Sequence, residues 1–377
     1  MATLPPVTGA WLPGHAPGRR QFVKLYSERA NMLEAGGALS DVQVAYESWG
    51  TLNERASNAV LVLHALTGDS HAAGEMGPGH VGDGWWNSLI GAGKVIDTDR
   101  FFVVCPNVLG GCQGTTGPAS PHPDGTGPYG SRFPRITVRD QTVVEAALAT
   151  RLGISTWHAV IGGSMGGMRA LEWCVSFPDR VRASAILAVG GAATAEQIAW
   201  SATQNNIIRA DAGFQGGDFY GGPPGSGPHR GMTLARAVGQ ITYRTEAELD
   251  DRFGRGRQGD ERPIEGGRFA IESYLDYQGE KLAQRFDANT YIVLSEAMNL
   301  HDIGRGRGGI GAALARVSAD VVIAGIDSDR LYPLRLQEEL AAGIRTADGI
   351  TVIASPSGHD GFLTETEQVK DVIHSVL

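Results

Sequence analysis

Short apolar segments and helical patterns alternate along this chain, and the alternation restricts its fold more than any other feature. Val- and Leu-rich runs predict β-strands at 42–49, 59–64, 101–106, 157–161, 183–189, 320–326 and 350–354. Apolar residues at helical spacing predict helices at 137–153, 165–177, 334–342 and 365–376. Strands that alternate with helices indicate an α/β fold with a mostly parallel central sheet.

The alternation stops between residues 192 and 301, where helical pieces surround a Gly- and Pro-rich stretch at 213–231. Strand and helix patterns then resume to the end of the chain. Because the sheet needs strands from both sides of the interruption, we predict one α/β core from residues 1–191 and 302–377. Residues 192–301 are predicted to form a helical insertion in that core.

Composition and charge exclude several classes of protein. The formal charge is −9, from 32 Lys and Arg against 41 Asp and Glu, which argues against a nucleic-acid or anionic-membrane partner. The basic run Arg252, Arg255 and Arg257 is interpreted as a solvated loop. Apolar runs are far shorter than the roughly 20 residues of a membrane span, and the first 20 residues carry no secretory pattern. With three cysteines and no disulfide framework, we expect a cytoplasmic protein without membrane association.

The sequence Gly-Gly-Ser-Met-Gly at 162–166 matches the pattern G-x-S-x-G. An apolar predicted strand precedes it and a predicted helix follows it, which is the context that a nucleophilic serine on a sharp turn requires. Glycines beside the serine avoid clashes that a Cβ atom would cause in so tight a turn. The pattern predicts Ser164 as a nucleophile, and the alternative is a serine that only caps the helix.

A serine nucleophile needs a base and an orienting carboxylate, and after such a turn the acid precedes the base in the chain. His359 follows the predicted strand 350–354 and is the histidine with the right order and position. Asp329 and Asp327 both follow the strand 320–326, so either could orient the histidine. Residues beyond the carboxyl ends of parallel strands lie where an open α/β sheet places its site.

Acyl transfer also needs hydrogen-bond donors for a developing oxyanion. A turn after the strand 59–64 would aim the backbone N–H of Leu66 into the site, opposite the N–H of Met165. The pattern G-x-G-x-x-G at 306–311 follows no strand, so no dinucleotide site is predicted there. Cysteine and histidine spacings give no zinc pattern, so neither a metal nor a tightly bound cofactor is expected.

Several distinctive stretches occur together and give the chain a specific resemblance. They are VAYESWGTLN (44–53), LHALTGDSH (63–71), GWWNSLIGAGKVIDT (84–98), CPNVLGGCQGTTGP (105–118), GGSMGGMRALEW (162–173), SDRLYP (328–333) and GHDGFL (358–363). With these stretches the chain resembles the homoserine O-acetyltransferases, acyltransferases of the α/β-hydrolase superfamily that act in methionine biosynthesis. The resemblance covers the chain from about Val44 to its end.

The resemblance implies roles for individual residues. Ser164 is then the nucleophile, His359 the base and Asp329, rather than Asp327, the orienting acid. It further implies that Arg236 binds the homoserine carboxylate and that Asp360 receives the substrate ammonium. Charge favours this pairing, because a zwitterionic amino acid needs one fixed cation and one fixed anion. On the residues alone, the favoured interpretation of Arg236 is a surface helix residue in an ion pair.

The resemblance also implies an activity and an assembly. The expected reaction moves the acetyl group of acetyl-CoA, a co-substrate, to the hydroxyl of L-homoserine through a serine acyl-enzyme. The insertion is expected to be a helical lid that pairs two subunits in a homodimer. Succinyl-CoA as donor, serine as acceptor, or hydrolysis by the same residues are the alternatives, since a few side chains can set such specificity.

Overall fold

In residues 4–377, which the computed structural model describes, eight strands form one twisted sheet. In chain order they are β1 (Gln21–Leu25), β2 (Val42–Trp49), β3 (Ala59–Leu63), β4 (Phe102–Pro106), β5 (Trp157–Gly163), β6 (Val181–Leu187), β7 (Asp320–Ile326) and β8 (Ile350–Ile353). Their order across the sheet is β1-β2-β4-β3-β5-β6-β7-β8. Neighbours from β4 to β8 pair in parallel, and β2 pairs antiparallel with β1 and β4. The predicted α/β fold with a mostly parallel sheet is therefore confirmed.

Strands β1 and β6 differ from the sequence prediction. The edge strand β1 was not predicted, because its side chains are mostly exposed and give no apolar run. Strand β6 was predicted at 183–189 but begins and ends two residues earlier. It ends at Leu187 because Ala188 takes a φ of 51° and leaves the extended conformation.

Helices cover both faces of the sheet and form the lid region. They are α1 (Val138–Arg151), α2 (Met165–Ser176), α3 (Ala195–Arg209), α4 (His229–Tyr243), α5 (Glu246–Phe253), α6 (Ala270–Ala283), α7 (Ala288–Asn299), α8 (Ile310–Leu314), α9 (Arg335–Gly343), α10 (Gly361–Thr364) and α11 (Thr366–His374). Capping boxes begin α1 at Thr137 and α3 at Thr194, which satisfies backbone N–H groups at both helix starts.

The central strands are buried on both faces, as a parallel sheet covered by helices requires. In β3, Leu61 and Leu63 join the apolar cluster on one face, whereas Val60 and Val62 join the cluster on the other. Successive side chains of a strand point to opposite faces, so one short run serves two cores. This arrangement holds the ends of β3 and β5 rigidly, and those ends carry the site.

Helices α3 to α7 lie within the predicted insertion and form the lid. Phe214, Phe219, Met232 and Tyr291 belong to a third apolar cluster, which also contains Met165 from the core. The Gly- and Pro-rich stretch forms short 3-10 turns at Ala212–Gly217 and Phe219–Gly221 before α4 begins. Strands on both sides of the insertion share one sheet, since β6 pairs directly with β7. The exact division at residues 191 and 302 stays a prediction.

Shorter elements complete the described chain. Two-residue strands pair at Asn31–Met32 with Ala38–Leu39 and at Ile90–Gly91 with Ile96–Asp97. Further 3-10 turns lie at Gly130–Arg132, Pro178–Arg180, Pro263–Glu265 and Gly358–Asp360. Between residues 4 and 377, none of the helices combines the length and the apolar character that crossing a bilayer demands.

Candidate active site

Ser164 stands on a sharp turn between β5 and α2. Its φ of 57° and ψ of −125° are rarely adopted by residues other than glycine, and its N–H is held by the carbonyl oxygen of Leu187 at 3.0 Å. A Cβ atom at Gly162 would lie 2.3 Å from the Gly166 oxygen, and one at Gly166 would lie 2.0 Å from the Leu63 oxygen. Both glycines are thus needed for the close approach of three backbone segments, and the turn presents the serine side chain above the sheet.

The sheet topology explains why this turn is a site. Strands β3 and β5 are neighbours, yet the chain passes from β3 to β4 on one side and from β5 to β6 on the other. Open α/β sheets bind ligands at such a reversal of strand order, beyond the carboxyl ends of the strands. The turn after β3 and Ser164 after β5 face each other there.

The structure brings Ser164, His359 and Asp329 together in a continuous hydrogen-bonded line. The Nε2 atom of His359 lies 2.8 Å from the Ser164 Oγ, and its Nδ1 atom lies 2.6 Å from the Asp329 Oδ2. All three side chains are buried. These distances suit a base that takes the serine proton while the carboxylate fixes the imidazole tautomer.

Burial and hydrogen bonding distinguish the two aspartates that could orient His359. Asp329 is buried, and its Oδ1 accepts the backbone N–H groups of Leu331 and Tyr332, each at 2.8 Å. Asp327 is exposed, and its Oδ1 accepts the N–H of Ser355 at 3.0 Å, which joins the ends of β7 and β8. The geometry therefore assigns the orienting contact to Asp329 and a local structural contact to Asp327.

Aromatic rings and charged groups around His359 determine its protonation state. Tyr332 stacks on the imidazole with centroids 4.9 Å apart, and Phe362 meets it edge-on at 5.6 Å. Burial disfavours the imidazolium, but the Asp329 carboxylate, its hydrogen bond and the charge of Asp360 together raise the pKa of His359 above its ordinary value. The site thus stabilises the imidazolium that forms when the histidine accepts a proton.

A turn follows β3, as the oxyanion prediction required. The N–H of Gly68 donates to the Ala65 carbonyl at 2.9 Å, which places Leu66 at the first corner of a four-residue turn. Met165 is the first residue of α2, where backbone N–H groups have no partner within the helix. Within residues 4–377 neither the Leu66 N–H nor the Met165 N–H has a hydrogen-bond acceptor. Leu66 and Ser164 both line the same cavity.

Core and lid enclose that cavity, which has a volume of about 260 Å³. Arg236 reaches it from α4, and Asp360 reaches it from the residue after His359. The Arg236 guanidinium lies 5.3 Å from the centroid of the Tyr243 ring, and no carboxylate of residues 4–377 pairs with it. An unpaired cation in a partly buried cavity fits an anionic group of a ligand.

The structure shows a partner for Asp360 that the sequence did not suggest. The Nε atom of Arg244 lies 3.2 Å from its Oδ2, and Arg244 also donates to Glu248 at 2.9 Å. A ligand ammonium at Asp360 would therefore share the carboxylate with Arg244. Other lid residues on the cavity wall, such as Trp200, Gln204 and Arg285, carry no motif in the sequence, so only their place in the fold reveals them.

One cluster outside this cavity has the residue types of a metal site. Ligand atoms of Glu47, His71 and His80 lie within 4.8 Å of one another. The two imidazoles stack 3.8 Å apart with only 10° between their planes, so their in-plane lone pairs do not converge on one ion. His71 Nδ1 instead lies 3.0 Å from a Glu47 oxygen. As arranged, His71 and Glu47 form a buried hydrogen-bonded pair, and His80, whose Nε2 accepts the backbone N–H of Arg19 at 3.1 Å, stacks on His71.

The chain is similar in sequence and in structure to known enzymes. The α/β-hydrolase fold family matches residues 58–366. A homoserine O-acetyltransferase of Thermobifida fusca (strain YX) is 58% identical over 372 residues, 99% of this chain and 97% of the relative. The crystal structure of a homoserine O-acetyltransferase from Bacillus anthracis superposes with a TM-score of 0.84 at 27% identity, covering 94% of this chain and 96% of the other. An acetylester hydrolase from Corynebacterium glutamicum superposes with a TM-score of 0.79 at 26% identity, covering 96% of each chain.

Proposed function

The chain belongs to the homoserine O-acetyltransferases, which are acyltransferases of α/β-hydrolase fold, and we propose that it acetylates the side-chain hydroxyl of L-homoserine. Acetyl-CoA is the proposed donor, and O-acetyl-L-homoserine and coenzyme A are the products. The observation that carries the proposal is the cavity that Ser164 and His359 share with Arg236 and Asp360. It combines an acyl-transfer nucleophile with one cation and one anion for an amino acid.

The proposed reaction begins at Ser164. His359 Nε2 takes the hydroxyl proton while Oγ attacks the thioester carbonyl, and the oxyanion that forms is received by the N–H groups of Leu66 and Met165. Collapse of the tetrahedral intermediate breaks the C–S bond. His359 returns the proton to the departing thiolate, which leaves an acetyl ester on Ser164 and free coenzyme A.

The second half reverses these roles with a new nucleophile. His359 takes the proton of the homoserine hydroxyl, whose oxygen attacks the acetyl ester, and then returns it to Ser164 Oγ as the product leaves. Arg236 would hold the homoserine carboxylate and Asp360 its ammonium, which presents the hydroxyl to the ester. No metal or further cofactor is needed for the balance of either half.

Transfer must compete with hydrolysis of the same acyl-enzyme. The lid closes over Ser164, and aromatic and apolar side chains such as Trp200, Met298 and Phe362 line the cavity. A positioned hydroxyl gains from proximity, whereas a cavity that excludes water slows the competing reaction. The selection of homoserine over water is therefore assigned to the lid side of the cavity.

The proposed assembly and cellular role of this protein are those expected for the same family. We propose a homodimer through the lid, because Leu234 and Ile241 are exposed on α4 and lie seven residues apart on one helix face. The proposed place of the reaction is methionine biosynthesis in the cytoplasm. Three free cysteines, all buried, are in keeping with a reducing compartment.

Release of thiol from two donors with three acceptor conditions tests the proposal. Acetyl-CoA and succinyl-CoA are each supplied with L-homoserine, L-serine or no acceptor, and a Ser164→Ala protein provides the background rate. Fast release only with acetyl-CoA and homoserine is the expected result. Preference for succinyl-CoA or serine would correct the substrates, and release that ignores the acceptor would make the protein a hydrolase.

A further inference from the structure

The turn Ala65–Gly68, here called the oxyanion turn, is held by its carbonyl groups on both sides of Leu66. The oxygen of His64, just before the turn, accepts a hydrogen bond from Arg169. The oxygen of Ala65 accepts from His64 Nδ1 at 2.8 Å as well as from Gly68. The oxygen of Thr67 accepts from Arg285 Nη1 at 2.8 Å. With these oxygens fixed, the peptide plane that carries the Leu66 N–H has little freedom to rotate.

Arg169 approaches the turn from beneath. It is fully buried on α2, where its neighbours Met168, Ala170 and Leu171 are apolar, and it pairs with Glu145 of α1 at 2.7 Å. Glu145 also accepts a hydrogen bond from Trp173 Nε1 at 2.8 Å. Because α2 begins at Met165, the helix that supplies one predicted oxyanion donor also holds the backbone before the other.

His64 connects the same turn to the loop that follows β4. Its Nε2 atom accepts the backbone N–H of Val108 at 3.1 Å, so its proton resides on Nδ1 and is donated to the Ala65 oxygen. Burial, with the nearby charge of Arg169, lowers the pKa of His64 to about 3. The imidazole is therefore neutral in the working pH range, and its tautomer is fixed.

Arg285 approaches from above, between α6 and α7 of the lid. It is partly buried in the wall of the cavity, and no carboxylate of the described residues lies within ion-pair distance of it. Its guanidinium stays charged, since arginine retains its proton even when burial lowers its pKa. A lid cation thus contacts the core backbone one residue beyond Leu66.

We propose that Arg169 and Arg285 are positioning residues that together orient the Leu66 N–H toward the oxyanion. The inference rests on the proposed function, because it assumes acyl transfer at Ser164. Neither arginine needs to touch the substrate for this role. An oxyanion donor is worth about 10²–10³ in rate, and a donor that rotates away loses much of that contribution.

Arg285→Met tests the upper contact without leaving a buried carboxylate unpaired. We expect kcat to fall roughly 10- to 100-fold while KM for homoserine and for acetyl-CoA changes less than about threefold, because the donor acts in the transition state. The affinity for phenylboronic acid, which forms a tetrahedral adduct on serine, should fall by a similar factor. Arg285→Lys should restore part of the loss. Arg209→Met, on the outer side of α3, is the matched control and should keep full activity.

Arg169 needs a paired substitution, because its removal leaves Glu145 buried and unpaired. Arg169→Met alone should unfold at lower temperature, whereas Arg169→Met with Glu145→Gln should recover most of the lost stability. The double variant should nevertheless remain slow at unchanged KM and bind the boronic acid weakly. Full activity in the folded double variant Arg169→Met with Glu145→Gln, or normal kcat in Arg285→Met, would overturn the proposal.

Hydrolysis of p-nitrophenyl acetate separates this inference from the proposed function. Acylation of Ser164 by that ester needs the same oxyanion donors but no homoserine. If the natural acceptor is not homoserine, both arginine variants should still lose acylation rate. If acylation proceeds at the normal rate in both, the positioning role is wrong whatever the natural substrates are.

Discussion

The core and the lid contribute to one cavity in different ways. Core groups lie at strand ends, and their polar atoms are hydrogen-bonded to neighbouring backbone, as Asp329 shows with its two N–H partners. Lid groups such as Arg236 come from helices, and this guanidinium lies 5.3 Å from the centroid of the Tyr243 ring with no carboxylate of the described residues paired to it. A group fixed by backbone suits chemistry that tolerates little movement, whereas a free charged group suits ligand binding. Variants of Ser164 and Asp329 should therefore change kcat, and variants of Arg236 should change KM for the acceptor.

The largest effect is expected at Ser164. Ser164→Ala removes the proposed nucleophile but only one buried oxygen atom, so the fold and its melting temperature should change little. Acetyl transfer should fall by about 10⁶, as in other enzymes that lose a triad nucleophile. Thiol release from acetyl-CoA with saturating homoserine measures the loss. A variant that retained appreciable turnover would contradict the assignment of covalent catalysis to the core.

Asp329→Asn is expected to have the next largest effect. The asparagine can present its N–H₂ group to His359 and hold the wrong tautomer, which costs about 10⁴ in kcat in a comparable triad. Asp327→Asn is the matched control two residues away, and it retains an oxygen for the Ser355 N–H. Equal losses in the two variants, measured as kcat for thiol release, would mean that the loop rather than the carboxylate contact matters.

Arg236→Met tests the lid side. It removes the unpaired cation of the cavity, so kcat/KM for homoserine should fall about 10²-fold, within the cost of losing one partner of a desolvated charge pair. In a double-displacement reaction, kcat/KM for acetyl-CoA should stay near its original value. Initial rates over both substrate concentrations separate the two constants. A loss confined to acetyl-CoA would move Arg236 to the donor side of the cavity.

The pH dependence of acylation gives a smaller effect. The neutral imidazole of His359 is the proposed base, so kcat/KM for acetyl-CoA should rise with pH through a pKa above the ordinary histidine value of about 6.5. Asp360 is one cause of that raised pKa. Asp360→Asn should therefore move the rising limb to lower pH and, separately, raise KM for homoserine. If the rising limb of the pH profile stays at the same pH while KM for homoserine rises, Asp360 acts only in substrate binding.

The sequence predicted the core of the molecule better than the lid. In the core, apolar runs and the glycines around Ser164 encode strands and a turn locally, so Ser164, His359 and every strand of the sheet except the edge strand β1 were predicted. The choice between Asp329 and Asp327 came only from the family resemblance, because both follow β7 and differ in which way the loop turns. The structure shows that difference as one buried and one exposed carboxylate.

The lid was predicted as helical, and the resemblance implied Arg236 as a ligand contact, but the other cavity contacts of the lid were not predicted. Arg244 and Arg285 carry no local pattern, and their roles depend on how helices far apart in sequence pack over the core. Arg169 did leave a signal, since a lone cation among apolar residues of a helix indicates a buried ion pair. Its target, the carbonyl of His64, is set by tertiary packing that the sequence pattern does not encode.

The smallest effect on activity is expected from the outer face of the lid. Leu234 and Ile241 are each 42% exposed on α4, the helix that carries Arg236 on its cavity side. Leu234→Glu with Ile241→Glu should convert the proposed dimer into monomers, because charged side chains are costly in the apolar centre of an interface. Sedimentation velocity measures the assembly, and Tyr277→Glu on the neighbouring α6 marks how far the interface extends. Monomers that keep the wild-type KM for homoserine would show that each lid shapes its own cavity alone, whereas a raised KM would show that dimer contacts also position Arg236.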